Sequence, residues 1–188
     1  MSGLDDDALV AAAQGGDPSA LDALLRRHYD RLYRLCRRLA GNDADALDAA
    51  QEALIAIARG LHNFDGRSSF ATWTYRVATN ACLDELRRRH RRPIPTEEVS
   101  PVSSGSRDEA DQVIDRLSLD DALAALPMDF RAAVVLRDVC ALDYSEIASV
   151  LGIPPGTVRS RIARGRAAIA DRLSGNSQRP DDRQIPRP

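Results

Sequence analysis

The segment from Asp143 to Leu173 constrains the fold strongly, because it predicts two short helices joined by a tight turn. Asp143 is followed three residues later by Glu146, the spacing of a capping box that begins a helix. Gly152 is suited to end that helix in a left-handed conformation. Pro155 then fits the first position of a second helix, where its missing N–H costs nothing. The segment therefore predicts a compact helix pair.

The second helix of this pair has an apolar face and a polar face. The apolar residues recur at helical spacing, at Val158, Ile162 and Ile169. The opposite face carries small and polar residues: Thr157, Arg159, Ser160, Ala163 and Arg164. Residues 154–173 contain five Arg and one Asp, an excess of positive charge that suits DNA phosphates. The pattern predicts a DNA-reading helix-turn-helix, with an ordinary helical hairpin and a solvated basic face as the alternative.

The distribution of charge matters more than the formal net charge of −2. All 26 positive residues are Arg, whose guanidinium binds phosphates and guanine edges through paired hydrogen bonds. Residues 86–92 contain five Arg, whereas residues 93–127 contain eight acidic residues and two Arg. Two basic surfaces separated by an acidic connector indicate two DNA contacts joined by a segment that DNA repels.

Helical periodicity extends over most of the chain, and an aromatic content of 4% suits helices better than sheets. We expect an all-α fold with two small helical domains joined by a flexible linker. The predicted boundaries are a first domain at 1–92, a flexible linker rich in Pro and Ser at 93–108, a second domain at 109–174 and a disordered tail at 175–188.

A polar stripe on the predicted helix 43–61 is a candidate contact surface. Its members lie at i, i+3, i+4 and i+7 and so share one face: Asp48, Gln51, Glu52 and Ile55. Such a stripe is either a solvated face or a docking face for another protein.

The loop at 62–69 and the helix that follows supply a second candidate surface. Phe64 and Arg67 are able to stack on an unpaired base, although for Phe64 by itself a place in the hairpin core is favoured. Trp73 is expected in the core. The helix is expected to point four adjacent residues outward, Arg76, Thr79, Asn80 and Leu83, and its Arg and Asn form a plausible DNA surface.

Several classes of function have no support in the sequence. Cys36, Cys82 and Cys140 follow no metal-ligand spacing and are expected to be buried free thiols rather than a redox switch. No glycine-rich phosphate loop or Ser–His–Asp order is present, so we expect no enzyme and no cofactor. No signal peptide opens the chain and no apolar run approaches 18 residues, which indicates a cytoplasmic protein.

Two stretches, in this order, make the chain resemble the extracytoplasmic-function (ECF) sigma factors of bacterial RNA polymerase. DALDAAQEALIAIARGLHNFDGRSSFATWTYRVATNACLDELRRR is similar to region two of that family. LPMDFRAAVVLRDVCALDYSEIASVLGIPPGTVRSRIARGRAAI is similar to its region four. The resemblance implies an alternative sigma factor, which binds polymerase core and directs transcription from chosen promoters. A two-domain helix-turn-helix regulator that acts without core polymerase is the alternative.

The resemblance also implies roles for individual residues. The residues matching the surface that docks on the clamp helices of the largest polymerase subunit are Asp48, Gln51, Glu52 and Ile55. The residues matching the reader of the minus-10 element are Asn63, Phe64, Asp65, Arg67, Ser68, Arg76 and Asn80. The residues matching the reader of the minus-35 element are Thr157, Arg159, Ser160, Ala163 and Arg164. The flap of the second-largest subunit, promoter DNA and an anti-sigma factor are the implied partners, without membrane insertion.

Overall fold

The computed structural model describes residues 5–91 and 119–177, and its regular elements within those ranges are all helices. The helices of the first range are α1 (Asp6–Gln14), α2 (Pro18–Ala40), α3 (Asp43–Gly60), a 3₁₀ turn (Leu61–Asn63) and α4 (Phe70–Arg91). Those of the second range are α5 (described over 119–124), α6 (Met128–Asp138), α7 (Tyr144–Leu151) and α8 (Pro155–Ser177). The all-α expectation is confirmed. The predicted linker 93–108 and residues 178–188 of the tail lie outside the described residues.

Helices α1 to α4 form the first lobe. Asp17 and Asn42 cap α2 and α3 through their side-chain oxygens, and Gly41 ends α2 with a φ of 85°. Leu residues at helical spacing along α2 supply much of the core, namely Leu24, Leu32, Leu35 and Leu39. The small residues Ala46, Ala49, Ala50 and Ala53 are buried on α3.

Helices α5 to α8 form the second lobe, which contains the predicted helix-turn-helix. The capping box of Asp143 and Glu146 is present, and Gly152 ends α7 with a φ of 65°. A Cβ atom at Gly165 would lie 2.6 Å from Val134 Cγ2. Gly165 is therefore required for the close approach of α8 to α6.

The two lobes pack against each other instead of meeting only through the linker. Arg131 of α6 donates to the carbonyl oxygen of Leu39 at 2.7 Å. Thr72 of α4 donates from Oγ1 to Glu146 Oε1 of α7 at 2.9 Å. Asp120 of α5 forms ion pairs with Arg37 and Arg38 of α2. The sequence carries no local signal for these contacts, since each joins residues far apart in the chain.

Two further details differ from the sequence prediction. Helix α8 continues to Ser177, whereas the tail was expected from 175, because the residues after 173 include no proline before Pro180. Cys140 lies in the turn after α6 and is half-buried, whereas Cys36 and Cys82 lie in helices and are buried. All three are free thiols.

Candidate nucleic-acid and protein interfaces

The polar face of α8 is open to solvent, as the sequence predicts. Val158 and Ile162 are buried against the rest of the second lobe. The residues of the opposite face that are exposed are Arg159, Ser160, Ala163 and Arg164, and Thr157 is half-buried beside them. This arrangement leaves the N-terminal half of α8 free to enter a groove of duplex DNA.

Contacts with α6 distinguish the two arginines that the sequence placed on the polar face of α8 from two others of the same helix. Arg161 pairs with Asp129 at 2.6 Å, and Arg166 pairs with Asp138, so both are tied to α6. Arg159 and Arg164 have no acidic partner among residues 5–91 and 119–177. In the N-terminal half of α8, these two guanidinium groups are available to phosphates and base edges.

Tyr144 lies beneath the guanidinium groups of two arginines. The Cζ atoms of Arg137 and Arg159 lie 5.2 and 5.6 Å from the centre of the Tyr144 ring. Both distances are in the range of cation–π attraction. Tyr144 therefore orients Arg159 at the start of α8, a role that sequence reasoning missed because the two residues are in different helices.

The loop between α3 and α4 is short and well defined. Gly66 has a φ of 71°, a conformation that favours glycine. Asp65 accepts the Arg67 backbone N–H at 3.2 Å and contacts its Nε at 3.0 Å. Asn63, Asp65 and Arg67 are exposed, and Ser68 is half-buried. These side chains therefore point to solvent at the tip of the first lobe.

Phe64 combines the two roles that the sequence left open. Its ring packs on the core, 5.7 Å from the ring centre of Phe70 and 5.3 Å from that of Trp73. Phe64 is nevertheless only half-buried, so part of the ring faces solvent. Trp73 is 8% exposed, which confirms its placement in the core.

Gln14, at the end of α1, stabilises the loop between α3 and α4 through two hydrogen bonds. Its side-chain Nε2 donates to the carbonyl oxygens of Leu61 and Phe64, each at 2.9 Å. The two bonds cross 47 and 50 sequence positions. No sequence signal identifies Gln14, because a single amide on a short helix has no characteristic pattern.

The polar stripe of α3 is exposed. Asp48, Gln51 and Glu52 face solvent, and Ile55 is half-buried beside them. Leu47, one residue before the stripe, is 54% exposed. An exposed leucine next to carboxylates and an amide is typical of a protein-docking surface, where an apolar centre has a polar rim.

A groove between α3 and α4 joins this stripe to the face of α4. Its volume is about 390 Å³, and its lining includes Glu52, Trp73 and Asn80. Arg76 and Asn80 are both exposed on α4. Thr79, which was expected to point outward, is instead buried, because α4 packs against helices on more than one side. The candidate docking stripe and the candidate DNA face of α4 are thus adjacent surfaces of one lobe.

The capping carboxylate of α7 is stabilised in its ionised form by hydrogen bonds. The Ser145 hydroxyl and the Glu146 backbone N–H donate to Asp143 and hold the pKa of its carboxyl below the usual range. One carboxylate oxygen of Glu146 completes the capping box, and the other accepts from Thr72 of the first lobe. The start of the helix-turn-helix is therefore fixed both locally and by the opposite lobe.

Metal and membrane sites are absent from the part of the chain that the structure describes. Residues 5–91 and 119–177 contain no cluster of three or more His, Cys, Asp or Glu side chains suited to a metal ion. The described helices include none with the length and apolar character needed to span a bilayer.

Comparison with known proteins identifies both lobes. The family model "Sigma-70 region 2" matches residues 24–92, and "Sigma-70, region 4" matches residues 116–169. The ECF RNA polymerase sigma factor SigM of Mycobacterium tuberculosis (strain H37Rv) is 41% identical over 90% of this chain and 85% of its own length. The ECF RNA polymerase sigma-E factor of Escherichia coli (strain K12) is 36% identical over 90% of this chain and 95% of its own length.

A solved structure has a similar arrangement of helices. The structure of CnrH in complex with the cytosolic domain of CnrY matches 92% of this chain and 99% of the compared chain, with a TM-score of 0.69 and 26% identity.

Proposed function

The chain belongs to the extracytoplasmic-function sigma factors of the sigma-70 family, and from this premise we propose that it binds RNA polymerase core and directs promoter-specific initiation of transcription. The observation that most directly supports this proposal is the exposed face of α8 that contains arginines, which lies opposite buried Val158 and Ile162. A DNA-binding helix of this kind directs transcription initiation only if the same chain also binds the polymerase. The first lobe has an exposed surface suited to polymerase binding.

The α3 stripe is the proposed polymerase-docking surface. Asp48, Gln51 and Glu52 are exposed, and the adjacent Leu47 offers apolar area at the same place. Carboxylates on a docking surface favour a basic partner and raise the association rate by attraction at a distance. The proposed partner surface is the pair of clamp helices of the largest subunit, with Ile55 at the edge of the contact.

The loop and α4 together are the proposed reader of the minus-10 element. Extruding a base from a duplex costs a few kcal/mol, so a site that captures the base stabilises the opened strand. The loop residues proposed to make this contact are Asn63, Phe64, Asp65, Arg67 and Ser68. Arg76 and Asn80 on α4 would contact the backbone and the upstream edge of the element.

The N-terminal half of α8 is the proposed reader of the minus-35 element in duplex DNA. Arg159 and Arg164 would bind base edges or adjacent phosphates, since neither has an acidic partner in the described ranges. Thr157, Ser160 and Ala163 line the same face and allow close approach. A bidentate arginine contact to a base is worth about 1–3 kcal/mol of discrimination.

A protein that controls access to these surfaces is the remaining proposed partner. The similar chain CnrH was solved in complex with the cytosolic domain of CnrY. Exposed polymerase- and DNA-binding faces on both lobes would give an anti-sigma factor of this chain a large surface to cover.

The flap of the second-largest polymerase subunit would contact the second lobe.

Reconstituted transcription tests the proposal. Core polymerase alone should give no run-off product from a cognate promoter, and addition of this chain should give a product of defined length. Glu52→Arg should abolish co-purification with core, whereas Asp30→Arg, the same charge reversal at an exposed position of α2, should leave it intact.

Two outcomes would overturn the proposal. Tight binding of promoter duplex by the chain alone, without transcription by core, would favour a helix-turn-helix regulator that acts independently. Equal core affinity of the wild-type chain and Glu52→Arg would remove the α3 stripe from the docking surface. Circular dichroism establishes that each variant remains helical.

A further inference from the structure

A cavity of about 270 Å³ lies where the two lobes meet. Arg31 and Arg34 of α2 and Tyr75 of α4 line it from the first lobe. Residues 139–141, in the turn between α6 and α7, line it from the second lobe. The cavity is therefore complete only when the lobes are packed together. None of these residues belongs to the proposed polymerase-docking or DNA-reading surfaces.

Tyr75 places a phenol group at this cavity. The residue is 7% exposed, and no hydrogen bond of its hydroxyl involves another residue of the described ranges. Burial, assisted by the neighbouring Cys140, raises the pKa of Tyr75, although Arg31 and Arg34 act in the opposite direction. The phenol consequently stays protonated and retains an O–H group that is able to donate to a ligand.

Arg31 and Arg34 differ from other arginines of the same helix. Arg26, Arg27 and Arg37 each form an ion pair with an aspartate, namely Asp22, Asp6 and Asp43. Arg34 instead donates from Nε to the backbone carbonyl of Asp30 at 3.1 Å, and Arg31 forms no ion pair within the described part of the chain. Two cations that lack carboxylate partners thus converge on one cavity.

The thiol at the opposite wall adds no negative charge. Burial raises the pKa of Cys140 to about 12, with Arg34 opposing that effect and Cys36 adding to it. The Cys140 side chain is therefore a neutral thiol at physiological pH. The lining combines two guanidinium groups, a neutral phenol and a neutral thiol, and it contains no carboxylate.

We propose that this cavity is a binding site for a small phosphate, either the free ion or a phosphomonoester. Guanidinium groups bind phosphate oxygens through paired, charge-assisted hydrogen bonds, and the phenol supplies a further donor. The volume is slightly below the range of about 300–1,000 Å³ that is typical of drug-sized ligands, which favours a small anion. Bound phosphate would neutralise the repulsion between Arg31 and Arg34.

Binding at this place has a consequence for the lobes. The proposed donors all belong to the first lobe, and residues 139–141 of the second lobe cover them. Because this cover shields the charged contacts from water, the ligand binds the packed arrangement more tightly than a separated one. A ligand shifts an equilibrium in proportion to its differential affinity for the two states. Phosphate therefore stabilises the packed lobes and opposes their separation.

Calorimetric titration of the full chain with inorganic phosphate tests the site, with sodium chloride at matched ionic strength as the reference. Saturable binding to one site per chain is expected with phosphate and not with chloride. Arg31→Gln and Arg34→Gln should each weaken binding roughly 10-fold, the usual cost of a lost charge-assisted hydrogen bond. Tyr75→Phe should weaken it by a smaller factor because it removes only a neutral donor.

Arg59→Gln is the matched control, because Arg59 is an exposed arginine of α3 that does not line the cavity. This variant should bind phosphate like the wild-type chain. A second titration, with a nucleoside monophosphate, distinguishes a free phosphate ion from a phosphomonoester as the ligand. If the nucleoside monophosphate binds more tightly than inorganic phosphate does, the ligand is an ester. Absence of saturable binding, or equal loss of affinity in Arg59→Gln, overturns the proposal. The exposed positions of Arg31 and Arg34 allow both variants to fold, which thermal unfolding checks.

Discussion

The guanidinium of Arg131 donates a hydrogen bond of 2.7 Å to the carbonyl oxygen of Leu39, which lies 92 positions earlier in the chain. Arg131 also donates to the carbonyl oxygens of Ala124 and Leu126. Leu39 is in the last turn of α2, where helix carbonyls lack partners within the helix. Burial lowers the pKa of Arg131 from its ordinary value. One buried cation of the second lobe thus satisfies acceptors of both lobes.

Replacing Arg131 with methionine should destabilise the protein by about 2–4 kcal/mol, because it leaves three buried or half-buried carbonyl oxygens without a donor. Urea unfolding measures the loss. Arg26→Met is the matched control, since Arg26 forms a solvent-exposed ion pair on α2 whose loss should leave the stability nearly unchanged. Equal stability of Arg131→Met and the wild-type chain would contradict this account of the lobe junction.

Replacing Gly165 with alanine should destabilise the second lobe by about 1–3 kcal/mol, because the new Cβ would lie 2.6 Å from Val134 Cγ2. The affinity of the second lobe for duplex DNA carrying the minus-35 element should fall together with its stability. Gly156 is the control position, since no atom lies within 4 Å of a Cβ built there and alanine favours a helix. Thermal unfolding should therefore show Gly165→Ala below the wild-type chain and Gly156→Ala at or above it.

Replacing Gln14 with alanine should loosen the loop between α3 and α4, because the loop loses two hydrogen bonds of 2.9 Å. Binding of an already opened minus-10 strand by the complex with core should weaken, while binding of minus-35 duplex stays unchanged. Gln14→Glu should behave like Gln14→Ala, because a carboxylate accepts hydrogen bonds and does not donate them. Full activity of Gln14→Glu would show that the amide does not support the loop.

Replacing Arg159 with alanine should weaken use of the minus-35 element by about 1–3 kcal/mol and leave binding of an opened minus-10 strand intact. Arg172→Ala is the control, as Arg172 is exposed further along the same helix. Electrophoretic mobility shifts with holoenzyme, on duplex and pre-opened promoters, separate the two contacts. Equal losses on both promoter forms would indicate a folding defect instead of a lost base contact.

Asp6 should make stability depend on pH in the acid range. Partial burial alone would raise its pKa, but hydrogen bonds and charge from Arg27 and His28 outweigh that effect and hold the pKa of Asp6 below its ordinary value. A lowered folded-state pKa stabilises the protein above the unfolded-state pKa of about 3.9, and this stabilisation is lost as pH falls through the folded-state value.

The variant Asp6→Asn isolates that contribution. Its deficit in unfolding free energy relative to the wild-type chain should be present above about pH 4 and should shrink as the pH falls below that value. Denaturant unfolding at a series of pH values measures the difference. Asp7→Asn, at an exposed position one residue later, should show no comparable deficit.

Local sequence signals predicted much of the fold because helix ends are determined by neighbouring residues. The capping box of Asp143, the left-handed glycine at 152 and the proline at 155 are each visible in the sequence and present in the structure. Exposure of Arg159 and Arg164 followed from the period of the apolar residues in α8. The exposed stripe of α3 followed from the same period.

Contacts between distant residues account for what the sequence did not predict. The sequence placed Arg159 and Arg164 on the polar face of α8, but it did not show that aspartates of α6 engage Arg161 and Arg166 and leave those two without an acidic partner in the described ranges. Neither the support of the loop by Gln14 nor the role of Gly165 in helix packing has a local pattern. Each depends on an atom of another helix.

The sequence by itself determined the helices, their caps and the faces that each helix presents, since these depend on interactions within about four residues. Only the tertiary structure decided which polar groups remain available and how the lobes meet. Arg131 and Glu146 illustrate the reason, because their partners Leu39 and Thr72 belong to the other lobe. Hydrogen bonding across such separations depends on the packing of whole helices, which no local pattern of residues encodes.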